Sequence, residues 1–208
     1  MDLQNKSDEL IELYRKANPL PNARAKVPLI QVGDDTFLCE SMVVTEYLAE
    51  IYSSPLIPEE SADRATMRLF VELCGSTFSY FPLLRATEEE AFNTALETFK
   101  EGLINTNSFL AQSPPGPFCL GNQFSLAECI IAPFLQRCCT ILPAFTGKKD
   151  LPTVDPMVLC DELQLSHLKE WIEAVLKRPS VISTGVPSDE MIASTTRMLE
   201  RFATMGQR

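Results

Sequence analysis

Two short runs of residues, Lys26-Val27-Pro28 and Glu40-Ser41, carry groups that suit a small peptide ligand. A proline that opens a strand cannot donate to the ladder, so the residue before it can offer its backbone N–H and C=O outside the sheet. The start of a helix presents free N–H groups that favour a carboxylate, and Ser41 adds a hydroxyl there. Glu40 adds a carboxylate that could meet an ammonium. The pattern indicates a site for a small peptide with a free amino end.

The alternative interpretation of Glu40-Ser41 is purely structural. Serine is a preferred N-cap residue, so Ser41 could cap the following helix while Glu40 is solvated. The sequence by itself leaves both interpretations open.

The elements that must position these residues are a helix, a hairpin and a second helix. Residues 8–17 have apolar side chains at helical spacing, Ser7 as a plausible N-cap and Asn18-Pro19 as a stop. Residues 27–32 and 36–39 are predicted strands, and the Gly33-Asp34-Asp35 turn between them makes an antiparallel hairpin. A helix over 42–52, capped by Ser41, follows.

The rest of the chain is predicted to be helical after a linker over residues 53–60. Apolar residues recur three and four positions apart in five segments, which begin near Met67, Phe92, Ile130, Leu165 and Met191. The segment 143–160 is predicted to be a surface loop. Ser125 and Glu128 form an S-x-x-E capping box, which starts a buried helix and carries no chemistry. The fold class is therefore α+β: an α/β part over 1–52, and an all-α part of about five to six helices over 61–208.

Composition excludes several classes of function. The chain has 208 residues and a formal charge of −10, so nonspecific nucleic-acid binding or docking on an anionic membrane is not expected. The seven cysteines include no C-x-x-C pair and there is one histidine, so no metal site is expected. The cysteines are predicted to be free thiols in the core of a cytoplasmic protein.

The order of these motifs resembles the glutathione transferase superfamily, with the omega-like group nearest. The resemblance rests on Asn18-Pro19, Lys26 to Ile30, Glu40-Ser41 and the capping box with its helix, and it continues to Arg178-Pro179-Ser180-Val181. It covers the chain from about residue 8 to 202. It implies a partial thioredoxin-like domain over 1–52, glutathione as co-substrate, an electrophilic second substrate and a homodimer.

The resemblance also implies roles for individual residues. Val27 would pair its backbone with the cysteinyl part of glutathione, and Pro28 would be the family's cis-proline. Glu40 and Ser41 would hold the amino and carboxylate groups of the γ-glutamyl end. Lys26 or Lys16 would reach the glycyl carboxylate.

Three aromatic residues have two interpretations. Phe78, Tyr80 and Phe81 could line an apolar acceptor pocket between the two domains, or they could form a core aromatic cluster.

One departure from the family concerns catalysis. The family's domain begins with strand, helix and strand, and its catalytic Ser, Tyr or Cys lies at the start of that first helix. Here the sequence opens on the helix before Val27-Pro28, so the catalytic residue is unknown and the edge of strand 27–32 is expected to be unpaired. A second departure is the loop over residues 20–25, which is longer than the family's usual link.

Three hypotheses follow. The chain belongs to a glutathione-dependent transferase or thiol-handling enzyme whose nucleophile lies upstream. Alternatively, it is a non-catalytic binding or interaction module of the same fold. The third hypothesis is a truncated product whose first 50 or so residues have no settled fold.

Overall fold

The computed structural model describes residues 5–147 and 151–205, which form two compact units that divide between Ile57 and Pro58. The first unit, here called the hairpin unit, contains α1 (Asp8–Ala17), β1 (Leu29–Val32), β2 (Thr36–Cys39) and α2 (Ser41–Ile51). The second, the helical unit, contains α3 (Ser61–Cys74), a 3₁₀ helix (Gly75–Phe78), α4 (Phe81–Arg85), α5 (Glu89–Leu110), α6 (Leu126–Phe145), α7 (Pro156–Glu162), α8 (Ser166–Lys177), α9 (Pro179–Thr184) and α10 (Ser188–Met205). The fold is α+β, as predicted.

Helix α1 begins and ends where its sequence signals place it. The Ser7 side chain accepts a hydrogen bond from the Leu10 N–H at 3.2 Å, which satisfies one of the free donors of the first turn. Acidic residues occupy the first turn and basic residues the last, which complements the helix dipole. The helix ends before Pro19, which has no N–H to continue it.

The hairpin pairs Leu29 with Cys39 and Val32 with Thr36 in antiparallel register. Gly33 takes a φ of 61° in the turn, a conformation that glycine adopts without steric cost. Strand β1 begins at Leu29, two residues later than predicted, because Pro28 has no N–H for the ladder. Within the described residues β1 pairs only with β2, so its other edge is open, as expected.

A small core holds the hairpin unit together. Tyr14 of α1 packs with Ala25 and Cys39, and the half-buried Ile11, Ala17, Ala23 and Leu29 surround them. Burial of Cys39 confirms the prediction that this thiol is a core residue.

The core of the helical unit is built around the aromatic ring of Trp171. The Phe70 ring meets it edge-on with ring centroids 5.5 Å apart, and the Phe78 ring stacks on it at 5.8 Å. These geometries are the favourable ones for aromatic pairs. All three side chains are buried.

The capping box of α6 forms as predicted and extends further than the sequence shows. The buried Glu128 carboxylate accepts hydrogen bonds from the Ser125 N–H at 2.9 Å and the Ser125 hydroxyl at 2.7 Å. It also accepts from the Cys119 N–H at 2.9 Å and from the Trp171 indole N–H at 3.2 Å. One carboxylate therefore ties the start of α6 to the preceding loop and to α8.

Part of the predicted surface loop over 143–160 is helical. Helix α6 extends to Phe145, and α7 begins at Pro156. The Asp155 side chain caps α7 by accepting from the Met157 N–H at 2.8 Å, and proline is favoured at a first helical position. The Asp155-Pro156 pair was therefore the signal for this helix.

Helix α6 is apolar because it is a core helix. By length and composition it could cross a membrane, but half of its most apolar window is buried inside the helical unit. Its first turn also carries the buried Glu128.

Candidate functional site

The hairpin register brings the two sequence-predicted runs to the same end of the hairpin. Leu29 pairs with Cys39, so Pro28, which precedes Leu29, and Glu40, which follows Cys39, lie across from each other. The Val27–Pro28 peptide bond is cis, as the resemblance implies for Pro28. Val27, Pro28, Glu40 and Ser41 therefore share one end of the hairpin unit, which we call the hairpin-end site.

The backbone beside the open edge is accessible. Val27 is 46% exposed, and Lys26 and Pro28 are exposed as well. Because β1 has one unpaired edge among the described residues, an extended ligand has backbone groups to pair with there.

Glu40 has an unusual backbone conformation. Its φ of 69° is rare for a residue other than glycine, and it occupies the N-cap position of α2. Its Oε1 accepts a hydrogen bond from the Tyr14 hydroxyl at 3.3 Å. Burial is the main cause that raises the pKa of Tyr14, and the nearby Glu40 carboxylate adds to it, so the phenol stays protonated and donates. This contact joins α1 to the start of α2, and sequence reasoning missed it.

Ser41 does not cap α2, so that prediction was wrong. The helix begins at Ser41, Glu40 is the N-cap residue, and no side chain hydrogen-bonds to the free N–H groups of the first turn. Within the described residues the exposed Ser41 hydroxyl has no hydrogen-bond partner. The structural interpretation of Ser41 therefore fails, and its hydroxyl and the helix N–H groups remain available to a ligand.

Three lysines lie on the hairpin unit in different environments. The Lys16 ammonium lies over the Phe37 ring of β2, 5.3 Å from its centroid. Lys26 is exposed next to Val27. The Lys6 ammonium donates to the Ala25 carbonyl at 2.6 Å, which fixes the loop before the site. Sequence reasoning missed Lys6, and nothing in its local sequence signals this contact.

The three aromatic residues of the helical unit separate into two environments. Phe78 is fully buried against Trp171. The rings of Tyr80 and Phe81 stack on each other at 4.5 Å, and Phe81 is 36% exposed. The Arg85 guanidinium lies 5.3 Å from the Phe81 ring and 4.9 Å from the Phe202 ring. Tyr80 also lines a cavity of about 510 Å³ inside the helical unit.

The cysteines provide little nucleophilic character. All seven are free thiols, and five of them are buried. Burial raises the pKa of Cys139 to about 12 and that of Cys160 to about 11, and it raises the pKa of Cys74 and Cys129 as well. Among the residues that the structure describes, no cluster of three or more His, Cys, Asp or Glu side chains could hold a metal ion.

Comparisons with known proteins identify a domain family and several relatives. Residues 84–174 match the family model of the glutathione S-transferase C-terminal domain. The chain is 27% identical over 195 residues to the probable cytosolic glutathione S-transferase DHAR1 of Oryza sativa subsp. japonica, covering 93% of this chain and 77% of the relative. The glutathione transferase Omega 1C of Trametes versicolor has a TM-score of 0.70 and 25% identity, with 95% of this chain and 83% of that chain covered.

The fold is thus a hairpin unit followed by a helical unit, and the helical unit contains the match to the glutathione S-transferase C-terminal domain. The domain match, the relative from rice and the structural likeness together support the glutathione transferase superfamily. It is also 30% identical over 125 residues to the probable maleylacetoacetate isomerase 2 of Drosophila melanogaster, which covers 58% of this chain. The chain spans about half the length of that relative, 52%.

Proposed function

We propose that this protein binds glutathione at the hairpin-end site and acts as a glutathione transferase-like protein. The observation that carries the proposal is the register of Leu29 with Cys39, which brings the cis Val27–Pro28 bond and Glu40-Ser41 to one end of the hairpin. An extended backbone, a carboxylate, a hydroxyl and free helix N–H groups then face the same small region. These groups complement a γ-glutamyl peptide.

Each group has a proposed partner on glutathione. The backbone of Val27 pairs with the cysteinyl residue, and Pro28 keeps the strand start open to it. Glu40 meets the γ-glutamyl ammonium, while Ser41 and the N–H groups of α2 hold the carboxylate of the same end. Lys26 or Lys16 neutralises the glycyl carboxylate.

The proposed chemistry is attack by the glutathione thiolate on an electrophile. The sulfur electron pair forms a bond to the electrophilic carbon, the leaving group departs with the pair of the bond that breaks, and the thiol proton passes to solvent. Glutathione mixed disulfides are the alternative substrates, with sulfur as the atom attacked. The family resemblance implies a Ser, Tyr or Cys that lowers the pKa of the glutathione thiol, and we assign that role to no residue of this chain.

The acceptor is proposed to bind beside Tyr80 and Phe81. Their stacked rings offer an apolar, partly exposed face. Phe78 was grouped with them from the sequence, but its ring packs against Trp171 in the core. We therefore propose that Phe78 does not contact the acceptor.

A second candidate function is a non-catalytic module of the same fold. The raised pKa values of Cys74, Cys119, Cys129, Cys138, Cys139 and Cys160 support it, because none of these thiols ionises readily at neutral pH. Such a module would bind glutathione weakly or not at all and act through a protein interface.

Calorimetric titration with glutathione tests the binding site, and N-acetylglutathione serves as the ligand that lacks the ammonium. Glu40→Gln should weaken glutathione binding about tenfold, because a charge-assisted hydrogen bond is lost, and should leave N-acetylglutathione binding unchanged. Glu50→Gln, which changes an exposed carboxylate on the same helix, is the control. Equal loss of affinity for both ligands in Glu40→Gln would contradict the assignment.

Turnover separates the two candidate functions. Conjugation of glutathione to chlorodinitrobenzene, or reduction of hydroxyethyl disulfide, supports the transferase. Binding of glutathione without either reaction supports the non-catalytic module.

The proposal extends to the state and location of the protein. The family resemblance supports a cytoplasmic homodimer that contributes to glutathione metabolism and detoxification. Light scattering coupled to size-exclusion chromatography would distinguish a mass of about twice 23.2 kDa from a monomer.

A further inference from the structure

The helical unit contains a cavity of about 510 Å³ between α6, α10 and Tyr80. Its apolar lining includes Ile141 of α6 with Met191 and Met198 of α10. All of its lining residues belong to the helical unit. The cavity is large enough for a small organic molecule.

Two hydroxyls in this cavity have no hydrogen-bond partner among the described residues. Tyr80 is 8% exposed and Thr195 is 5% exposed, and no hydrogen bond joins either hydroxyl to another described residue. Among the described residues, Nε of Arg178 is the fully enclosed side-chain nitrogen or oxygen that has no partner. The hydroxyl oxygens of Tyr80 and Thr195 are therefore not fully enclosed by protein. Both residues line the cavity, so both oxygens are accessible from it.

The hydroxyls of Thr195 and Thr196 differ in their hydrogen bonding. Thr196 satisfies its hydroxyl by donating to the Ile192 carbonyl of the preceding turn at 3.0 Å, as helical threonines commonly do. Thr195, one residue earlier, makes no such bond among the described residues although it is more buried. A ligand oxygen in the cavity would give this hydroxyl a hydrogen-bond partner.

The charges around the cavity favour an anion. Arg137 and Arg197 line it, and neither forms a hydrogen bond or ion pair with another described residue. Glu190 is the acidic residue of the lining, so two positive charges face one negative charge. The whole chain carries a formal charge of −10, which makes a locally positive cavity unusual. Tyr80 and Arg137 both line this cavity, so both can act on one ligand.

We infer that this cavity binds the carboxylate of a small amphipathic acid, with Arg137 and the Tyr80 hydroxyl on the carboxylate and the apolar residues of α6 and α10 on its carbon body. The assignment of this acid as the acceptor for glutathione rests on the proposed function. Binding of the acid itself does not.

Calorimetric titration with cinnamate and hexanoate tests the inference, with cinnamamide and hexanamide as uncharged counterparts. The whole 208-residue chain is used, without glutathione. Each carboxylate should bind at least about ten times more tightly than its amide, because a hydrogen bond to a charged group is stronger than one to a neutral group. The inference would be overturned if both carboxylates had dissociation constants above about 10 mM. It would also be overturned if each acid and its amide bound with equal affinity.

Matched variants locate the carboxylate. Arg137→Gln should reduce carboxylate affinity about tenfold and leave amide affinity unchanged, and Tyr80→Phe should reduce it several-fold while keeping the ring stacked on Phe81. Arg15→Gln, which removes an exposed arginine from α1, is the control with the same change in charge. Unaltered circular dichroism excludes unfolding as the cause. Equal effects of Arg137→Gln and Arg15→Gln would overturn the placement.

Repeating the titration with saturating glutathione separates this inference from the proposed function. Unchanged cinnamate binding is expected if the two ligands have different sites. Displacement of cinnamate by glutathione would overturn the assignment of the acid as the acceptor. Failure of glutathione to bind at all would overturn the proposed function and leave the carboxylate site standing.

Discussion

The Glu128 carboxylate is the most connected polar group described in the core, so its removal is a demanding test of how the helical unit is held together. It accepts from the N–H groups of Cys119 and Ser125, from the Ser125 hydroxyl and from the Trp171 indole. Glu128→Ala deletes all four bonds. Glu128→Gln keeps the shape and an acceptor oxygen but replaces the other oxygen with a donor.

The structure sets the expected magnitudes. Glu128→Ala leaves three buried N–H donors without an acceptor, at about 1–3 kcal/mol each, but it also removes a buried charge whose desolvation was unfavourable. The three unsatisfied donors together outweigh the relief of the carboxylate's desolvation, so the net loss is expected to be about 3–5 kcal/mol. Glu128→Gln directs an amide donor at the Ser125 N–H, while the Ser125 hydroxyl can rotate to accept. About 1–3 kcal/mol should then be lost.

Urea unfolding measures both variants with two independent probes. Trp171 is the single tryptophan of the chain and contacts Glu128, so its fluorescence reports on this site, while far-ultraviolet circular dichroism reports on all the helices. Coincident transitions would validate the free energies. Glu101→Gln, an exposed change on α5, is the control and should leave the midpoint unchanged.

The reasoning is refuted if Glu128→Ala costs less than about 1 kcal/mol, or if Ala and Gln cost the same. The first result would mean that the four hydrogen bonds only offset the desolvation of the carboxylate. The second would mean that the retained acceptor oxygen contributes nothing.

Three further predictions follow from single positions. Gly116→Ala should lower the melting temperature by about 5 °C or more, because φ is 141° and the new Cβ would lie 2.3 Å from a backbone carbonyl carbon; Gly33→Ala, with no atom within 4 Å, should lower it less, and the reverse order in a thermal scan would contradict this. The free energy of unfolding should fall as the pH rises above 9. The thiols of Cys139 and Cys160 have pKa values of about 12 and 11 in the folded chain, so they stay protonated there while they ionise in the unfolded chain. A urea midpoint that is constant from pH 8 to 11 would contradict this prediction. Tyr14→Phe should weaken glutathione binding about two- to fivefold by calorimetry, because the hydroxyl that orients the carboxylate at the N-cap of α2 is lost, whereas unchanged affinity would limit Tyr14 to packing.

Local patterns in the sequence determined most of the secondary structure. The N-cap at Ser7, the capping box at Ser125 and the hairpin turn at Gly33 each act within a few residues, so their signals are legible in the chain. Because these signals act only within a few residues, they also account for the errors in the predicted helix starts. Ser41 was expected to be the N-cap residue of α2, but the helix starts one residue earlier and Glu40 occupies the N-cap position. Glu40 has a φ of 69°, which no local pattern predicts.

The hairpin-end site was predicted as a set of residues, and the register then set their arrangement. The sequence indicated Val27, Pro28, Glu40 and Ser41, but only the pairing of Leu29 with Cys39 shows that they share one end of the hairpin. Sequence spacing by itself leaves open which residues of two strands face each other.

Contacts between distant parts of the chain were decided by tertiary structure. Tyr14 meets Glu40 across 26 positions, and Glu128 meets Trp171 across 43. The cavity that brings Tyr80, Arg137 and Thr195 together joins three segments that share no sequence pattern. Helical periodicity shows which face of a helix is buried, but the packing of one face against another depends on side chains far away in sequence, and so do the partners that a buried hydroxyl or carboxylate finds.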